Sequence, residues 1–293
     1  MKKGYSLSGG STKIAALAGA SIYTLRDYNY KPDYISGISA GGILAVPLAL
    51  QMYDEVHELA TTFTYDDIFN VKPINEKGKI TLQAIWRIIS GKESLGAQDN
   101  LIKTVSKLVP QHMFELYQRR SEFPICILGM VDFITGKRTY LNMKNQPYDV
   151  FLAAVKATSS IPVFVESVQM PWSGYYYDGG VRDHIGSHWL MENFEMNKHI
   201  SVYSRPQNYN ITEAKWTPKN VYSVLQRTID IMSVEISKND ELKENMIAKD
   251  KNIQNTKIFM PYILSHDTYE ISPEKLKEWY QIGYNQAKQT LQE

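Results

Sequence analysis

A serine between two glycines is the first feature of this sequence whose type and spacing could do chemistry. Gly37, Ser39 and Gly41 form the pattern G-x-S-x-G. The preceding PDYISG is typical of a turn and a short apolar strand, and AGGILAVPLALQMYDEVHELA is typical of a helix. On such a strand–turn–helix the glycines allow close backbone approach, and the serine hydroxyl stands clear of the sheet. The arrangement predicts that Ser39 is a nucleophile, although ordinary small-residue loops also produce this pattern.

A second glycine-rich stretch, SLSGGSTK, could stabilise the negative charge that develops when a serine attacks a carbonyl. It lies between the first predicted strand and the first predicted helix, where backbone N–H groups are exposed. The amides of Gly9, Gly10 and Ser11 could point at a carbonyl oxygen, helped by the helix dipole. A tight turn would need the same glycines, and neither G-x-G-x-x-G nor a Walker pattern is present. These three residues are therefore a candidate oxyanion hole.

The base that would activate the serine has two kinds of candidate. Asp178 ends the apolar stretch YYYD and precedes two glycines, which places it at a strand end, where α/β proteins carry active sites. A turn-forming aspartate would have the same local pattern. Histidine is the usual base, but none of the six lies in a distinctive pattern: His57, His112, His184, His188, His199 and His266.

In their order and spacing these motifs resemble the patatin-like phospholipase family over nearly the whole chain. The glycine-rich loop of the family corresponds to residues 8–13, and its G-x-S-x-G to residues 37–41. Its aspartate–glycine motif corresponds to residues 178–180. ATSSIPVFVESV at 157–168 resembles the alanine–serine and proline segment between them. Each motif alone is unspecific, whereas the set is specific.

The resemblance implies a lipid acyl hydrolase of phospholipase A type that uses a Ser–Asp dyad and no catalytic histidine. Ser39 would attack the ester carbonyl, Asp178 would accept its proton, and the amides of Gly9, Gly10 and Ser11 would hold the oxyanion. The substrates would be phospholipids or lysophospholipids at a membrane or micelle surface. An acyl-enzyme would form and be hydrolysed by water, and no cofactor is expected.

The chain departs from the family pattern in the glycine-rich loop. Ser11 replaces the usual third glycine, Lys13 replaces a frequent arginine, and Ile14 stands where another glycine is common. A serine side chain could narrow the oxyanion hole, so a catalytically weak, lipid-binding member of the family is an alternative interpretation.

An α/β-hydrolase with a Ser–Asp–His triad is the other alternative, for instance Ser39, Asp178 and His266. That fold places its nucleophilic serine after several strands. Here only one strand and one helix are predicted before the strand that leads to Ser39, which favours the patatin-like arrangement.

The elements that would position these residues predict a three-layer α/β/α fold with a mostly parallel sheet and helices on both faces. One domain is expected over residues 1–293, with a mainly helical insertion at about 52–120. FPICILGMVDFITGKRTYLN predicts a hairpin that turns at residues 135–137. The lone cysteine, Cys126, lies in an apolar run and is expected to be a buried thiol.

Composition and charge exclude several classes of protein. The net charge is +1 and no nucleic-acid-reading motif is present, so no nucleic-acid partner is expected. MKK followed by IAALAGASIYTL superficially resembles a signal peptide, but the polar GYSLSGGSTK interrupts it. No stretch approaches the ~18 apolar residues of a membrane span. The prediction is a cytoplasmic protein, compatible with peripheral membrane contact.

Two further features are expected to be structural. ITLQAIWRIISG at 80–91 is amphipathic, and a helix face buried in the protein is its commoner explanation. His184 and His188 have helical spacing next to Asp183, but Gly186 interrupts the run and no H-E-x-x-H pattern exists. Surface histidines and no metal site are therefore predicted.

Overall fold

The computed structural model describes residues 1–75, 79–209, 216–218, 220–265 and 271–292. Within these ranges a single sheet contains β1 (Lys3–Leu7), β2 (Tyr34–Ile38), β3 (Ile125–Asp132), β4 (Lys137–Asn142), β5 (Val168–Gln169), β6 (Tyr175–Asp178), β7 (Lys198–Tyr203) and β8 (Gln254–Phe259). The helices are α1 (Ile14–Ile22), α2 (Ala40–Ala49), α3 (Tyr53–Thr62), α4 (Tyr65–Ile68), α5 (Leu82–Ile89), α6 (Asp99–Leu108), α7 (Gln111–Arg119), α8 (Tyr148–Thr158), α9 (Ser187–Asn193), α10 (Val221–Asp250) and α11 (Pro273–Gln292).

The sheet is mixed but mostly parallel, which confirms the predicted fold class. Its strand order is β5-β6-β3-β2-β1-β7-β8, and β4 also pairs with β3. Strands β1, β2, β3, β7 and β8 are parallel to one another. β4 and β6 run antiparallel to β3, and β5 runs antiparallel to β6. The predicted hairpin is β3–β4, where Gly136 has a left-handed φ of 66°.

The register of the sheet brings the ends of β2 and β6 to the same level. Ile38, the last residue of β2, pairs with Gly129 of β3, and Asp178, the last residue of β6, pairs with Met130. β3 lies between the two strands. Asp178 therefore lies level with the end of β2 although β6 runs antiparallel to β3.

Helices α3 to α7 lie between α2 and β3, where the helical insertion was predicted. The interpretation of residues 80–91 as a buried face is wrong, because the apolar side chains of α5 are largely solvent-exposed. Trp86 is 69% exposed and Ile89 is 70% exposed, while Ala84 on the opposite face is buried. Cys126 is a buried free thiol, as predicted. Within the described ranges no helix combines the length and the apolar character that crossing a bilayer requires.

Candidate active site

Ser39 lies in a strained turn between β2 and α2. Its φ of 54° and ψ of −123° lie in a region that non-glycine residues rarely adopt. The flanking glycines are required by close packing. A Cβ on Gly37 would lie 2.2 Å from the carbonyl oxygen of Gly41, and a Cβ on Gly41 would lie 2.6 Å from that of Leu7. The turn directs the serine towards a cavity at the N-terminal end of α2, which carries the positive end of the helix dipole.

The C-terminal end of α8 and the residues that follow it hold both candidate residues in place. The Ser39 amide donates to Thr158 Oγ1 at 3.0 Å, and Thr158 Oγ1 donates to the Gly129 carbonyl at 2.5 Å. The Asp178 amide donates to the Ser160 carbonyl at 2.8 Å. Sequence reasoning gave Thr158 and Ser160 no role, although both lie in the ATSSIP stretch that carried part of the resemblance.

Asp178 is a buried carboxylate whose partner is Ser39. The residue is only 5% exposed, and the Ser39 side chain lies close enough to its carboxyl group to lower the carboxyl pKa. The Gly180 amide donates to Asp178 Oδ1 at 2.7 Å. Burial raises the pKa of Asp178 to about 7, against the opposing effect of Ser39 and of the Gly180 amide. The carboxyl group is therefore a stronger base than an exposed aspartate, and it interacts with the residue that it would have to deprotonate.

The glycine-rich loop lies beside Ser39, but its three amides differ. Gly9 lines the cavity, but its amide donates to the carbonyl of His184 at 2.8 Å and is therefore not available for the expected role in the oxyanion hole. The Gly10 amide has no acceptor in the part of the chain that the structure describes. Ser11 has a φ of 50°, a left-handed conformation that suits the glycine that the family pattern has here. Gly10 and Ser11 both line the cavity next to Ser39.

Two cavities meet at Ser39. The smaller, of about 80 Å³, extends between helices and is lined mainly by apolar side chains such as Ile43, Phe63, Leu101 and Val105. The larger has a volume of about 370 Å³ and contains Asp178 together with charged and polar groups. Ser39 thus lies between an apolar compartment and a mixed one.

Positive groups line the larger cavity. Lys13 and Arg205 are both part of its wall. Burial lowers the pKa of Lys13, which Asp230 partly counteracts. Burial, with the charges of Arg205 and Lys13, lowers the pKa of the nearby His184 to about 3, so its imidazole is neutral. Arg205 forms an ion pair with Glu241 at 2.7 Å. Each of the two cations thus has an acidic neighbour, Asp230 in the case of Lys13 and Glu241 in the case of Arg205.

The histidines occupy different environments. His57 and His112 are exposed. His199 is a buried residue of β7, and its Nε2 lies 2.9 Å from Ser6 Oγ. The expectation that His184 and His188 lie on the surface is wrong, because His184 lines the cavity and His188 is only 2% exposed. His266, the histidine of the alternative triad, lies outside the described residues.

Comparisons with known proteins agree with the resemblance. The family model for patatin-like phospholipases matches residues 5–186, which is more than half of the chain. The chain belongs to the patatin-like phospholipase family. Membership supports lipid acyl hydrolase activity, without specifying mechanism or substrate. No curated protein sequence matches the chain.

Solved structures also resemble the chain at low sequence identity. VipD from Legionella pneumophila is 13% identical with a TM-score of 0.49, and the match covers 99% of this chain and 66% of VipD. The type III effector ExoU is 11% identical with a TM-score of 0.45, and the match covers 99% of this chain and 52% of ExoU. ExoU from Pseudomonas aeruginosa has also been solved in complex with SpcU. The match to that structure is 14% identical with a TM-score of 0.33, and it covers 85% of this chain and 52% of the matched chain. The chain thus spans less than two thirds of these proteins.

Proposed function

We propose that this protein cleaves carboxylic ester bonds of lipids with a Ser39–Asp178 dyad. The observation that supports this most strongly is that Ser39 lines the same cavity as, and interacts with, a buried carboxyl group whose pKa is raised to about 7. A carboxylate with an ordinary pKa near 4 is a poor base towards an alcohol. Desolvation brings the basicity of Asp178 close to the range in which general bases work at neutral pH.

The reaction would proceed through an acyl-enzyme. Asp178 takes the proton from Ser39 Oγ while Oγ bonds to the ester carbonyl carbon. The amides of Gly10 and Ser11 stabilise the tetrahedral oxyanion, aided by the N-terminus of α2. When the C–O bond to the alcohol breaks, Asp178 returns the proton to the leaving oxygen. Water, deprotonated by Asp178, then attacks the acyl carbon, and the fatty acid leaves as Ser39 regains its proton.

The two cavities suggest how a lipid ester would bind. The first methylene groups of an acyl chain would enter the apolar compartment of about 80 Å³ that contains Phe63 and Leu101, since burying them there removes apolar surface from water. The head-group side would then face the larger cavity, where Lys13 can pair with a phosphate. We therefore propose phospholipids or lysophospholipids as substrates, cleaved in the manner of phospholipase A.

The exposed face of α5 supports contact with a lipid surface. Trp86 and Ile89 are exposed on it, and Arg87 forms an ion pair with Glu166. The segment that contains Glu166 also contains Val163, which lines the larger cavity and is itself 45% exposed. An apolar helix next to the cavity opening would place the enzyme at the membrane or micelle in which its substrate is dissolved. One hydrolase domain over residues 1–293 and a cytoplasmic location stay predictions.

Hydrolysis by the purified protein tests the proposal. A panel of p-nitrophenyl esters, lysophospholipids and phospholipids labelled at either acyl chain would be compared between the wild type and Ser39→Ala. We expect turnover of the lipid esters by the wild type and none above background by Ser39→Ala. Vesicle binding with no turnover by the folded wild type would contradict the proposal and favour a lipid-binding protein.

A further inference from the structure

Three buried titratable side chains lie together near the turn that follows Asp178. Asp183 lies in this turn, His188 in the first turn of α9, and Asp240 in the middle of α10. Each is at most 2% exposed, and one potential ligand atom from each lies within 4.8 Å of the others. Elements far apart in the sequence thus converge on one small buried volume.

The histidine has no hydrogen-bond partner that the described residues supply. Neither His188 ring nitrogen is hydrogen-bonded, and Asp240 Oδ1 also lacks a hydrogen bond. His188 Nε2 lies 3.6 Å from Asp183 Oδ1, so the ring faces the carboxylates. Buried polar atoms are rarely left without partners, because desolvation without a compensating interaction is unfavourable. The imidazole therefore indicates a missing ligand at this position.

The outer oxygens of both carboxylates are already held by the protein. The Tyr140 hydroxyl donates to Asp183 Oδ2 at 2.6 Å, and the His184 amide donates to Asp240 Oδ2 at 2.6 Å. Contacts of this kind orient ligands in metal sites, where they are found around the coordinating atoms. Of the other two oxygens, Asp183 Oδ1 lies 3.6 Å from His188 Nε2, and Asp240 Oδ1 is buried without a hydrogen bond.

Two cations lie near the same oxygens, and they do not satisfy the histidine. Arg138 Nε lies 2.9 Å from Asp183 Oδ1, and Lys243 Nζ lies 3.8 Å from Asp240 Oδ1. Both side chains are partly exposed. Their N–H groups lie beside the carboxylates, whose charge they neutralise, and neither of them forms a hydrogen bond with a ring nitrogen of His188.

We propose that Asp183, His188 and Asp240 bind a divalent transition-metal ion of the zinc class. Tetrahedral coordination at about 2.1 Å places donor atoms about 3.4 Å apart, close to the separation of His188 Nε2 and Asp183 Oδ1. One imidazole and two carboxylates suit Zn²⁺ better than Mg²⁺ or Ca²⁺, which prefer oxygen ligands alone. Water would complete the coordination.

The role of the ion would be structural. It would tie the turn at 183–188 to α10, and this turn contains His184, whose carbonyl accepts the hydrogen bond of the Gly9 amide. The metal would thus stabilise the glycine-rich loop indirectly, through the hydrogen bond between the Gly9 amide and the His184 carbonyl. This inference does not depend on the proposed hydrolase activity.

Metal binding by the intact protein tests the site. Protein made with an affinity tag that contains no histidine is stripped with a chelating resin and titrated with Zn²⁺ and with Co²⁺. We expect about one equivalent of Zn²⁺ at micromolar affinity, a tetrahedral Co²⁺ absorption spectrum, and a rise in Tm on the order of 5 °C with excess Zn²⁺.

Variants locate the binding. Asp240→Asn and His188→Gln should weaken Zn²⁺ binding by more than about tenfold, while His112→Gln, at an exposed histidine, should leave it unchanged. If either variant fails to fold, the Zn²⁺ titration of the wild type is by itself the test of the site. A wild type that takes up no Zn²⁺ at micromolar concentrations, or folded variants that bind as the wild type does, would overturn the assignment.

Discussion

Replacing Asp178 by asparagine should make the folded protein more stable at neutral pH while it removes the proposed activity. Burial raises the pKa of Asp178 from 3.8 to about 7, so ionising the carboxyl group is less favourable in the folded protein than in the unfolded chain. The difference corresponds to about 4 kcal/mol once the group is fully ionised. Asparagine has nearly the same shape and carries no charge.

The pKa of about 7 already includes the favourable interactions of the ionised carboxyl group with Ser39 and the Gly180 amide. Part of the gain is offset because asparagine keeps an oxygen that can accept from the Gly180 amide but places an NH₂ group where the second carboxyl oxygen was, at a cost of about 1–2 kcal/mol. We therefore expect the free energy of unfolding of Asp178→Asn to exceed that of the wild type by about 2–3 kcal/mol at pH 8.

The stability difference between Asp178→Asn and the wild type should depend on pH in a specific way. Between pH 3.8 and about 7 the unfolded chain has released the Asp178 proton and the folded protein retains it. The unfolded state binds fewer protons in this window, so the contribution of Asp178 to wild-type stability falls as the pH rises. Above about pH 7 the penalty is constant. The advantage of Asp178→Asn should thus be largest at pH 8 and shrink towards pH 4.5.

Urea unfolding followed by tryptophan fluorescence at several pH values measures this difference. Asp250→Asn, at an exposed aspartate that ends α10, is the matched control and should change stability by less than about 0.5 kcal/mol. An Asp178→Asn protein that is less stable than the wild type at pH 8, or a difference that does not vary with pH, would refute a desolvated carboxylate at this position.

Four shorter predictions concern turnover. The pH profile of kcat/KM should rise through a limb near pH 7, because Asp178 must be ionised to act as the base, and a limb only near pH 4 would contradict this. Gly10→Val should lower kcat about a hundredfold or more, because a Cβ at this position would lie 2.8 Å from Ser204 Cβ and would displace the amide. Normal turnover by the folded variant would exclude the Gly10 amide as an oxyanion donor. Ser11→Gly should preserve or raise turnover because it relieves the φ of 50°, so a large loss would give the Ser11 hydroxyl a role of its own. Single replacements of the six histidines should each leave most activity, and one histidine variant as inactive as Ser39→Ala would instead favour a triad.

The sequence was most informative at positions where the local backbone geometry permits only one type of residue. Gly37 and Gly41 are needed because any Cβ would overlap neighbouring backbone, and this demand is visible as G-x-S-x-G. The hairpin turn at Gly136 and the apolar run around Cys126 are local in the same sense. Such features depend on a few consecutive residues, so they could be predicted without knowing the rest of the fold.

Features that depend on distant partners could not be predicted in this way. The orientation of the Gly9 amide is determined by the His184 carbonyl, which lies far along the chain. The amphipathic pattern of α5 indicates an apolar face, but whether protein covers that face is decided by the helices around it. His188 is buried because α10 packs over α9, a contact that helical spacing within the 183–188 stretch cannot reveal.

Covalent labelling tests the central claim most directly. The purified protein would be treated with a fluorophosphonate, which phosphonylates activated serines, and the modified peptide would be identified by mass spectrometry. We predict stoichiometric modification of Ser39 in the wild type, none in Ser39→Ala, and strongly slowed labelling in folded Asp178→Asn, because the serine has lost its base. A folded wild type that stays unlabelled at Ser39, or Asp178→Asn that reacts as fast as the wild type, would contradict the Ser39–Asp178 dyad.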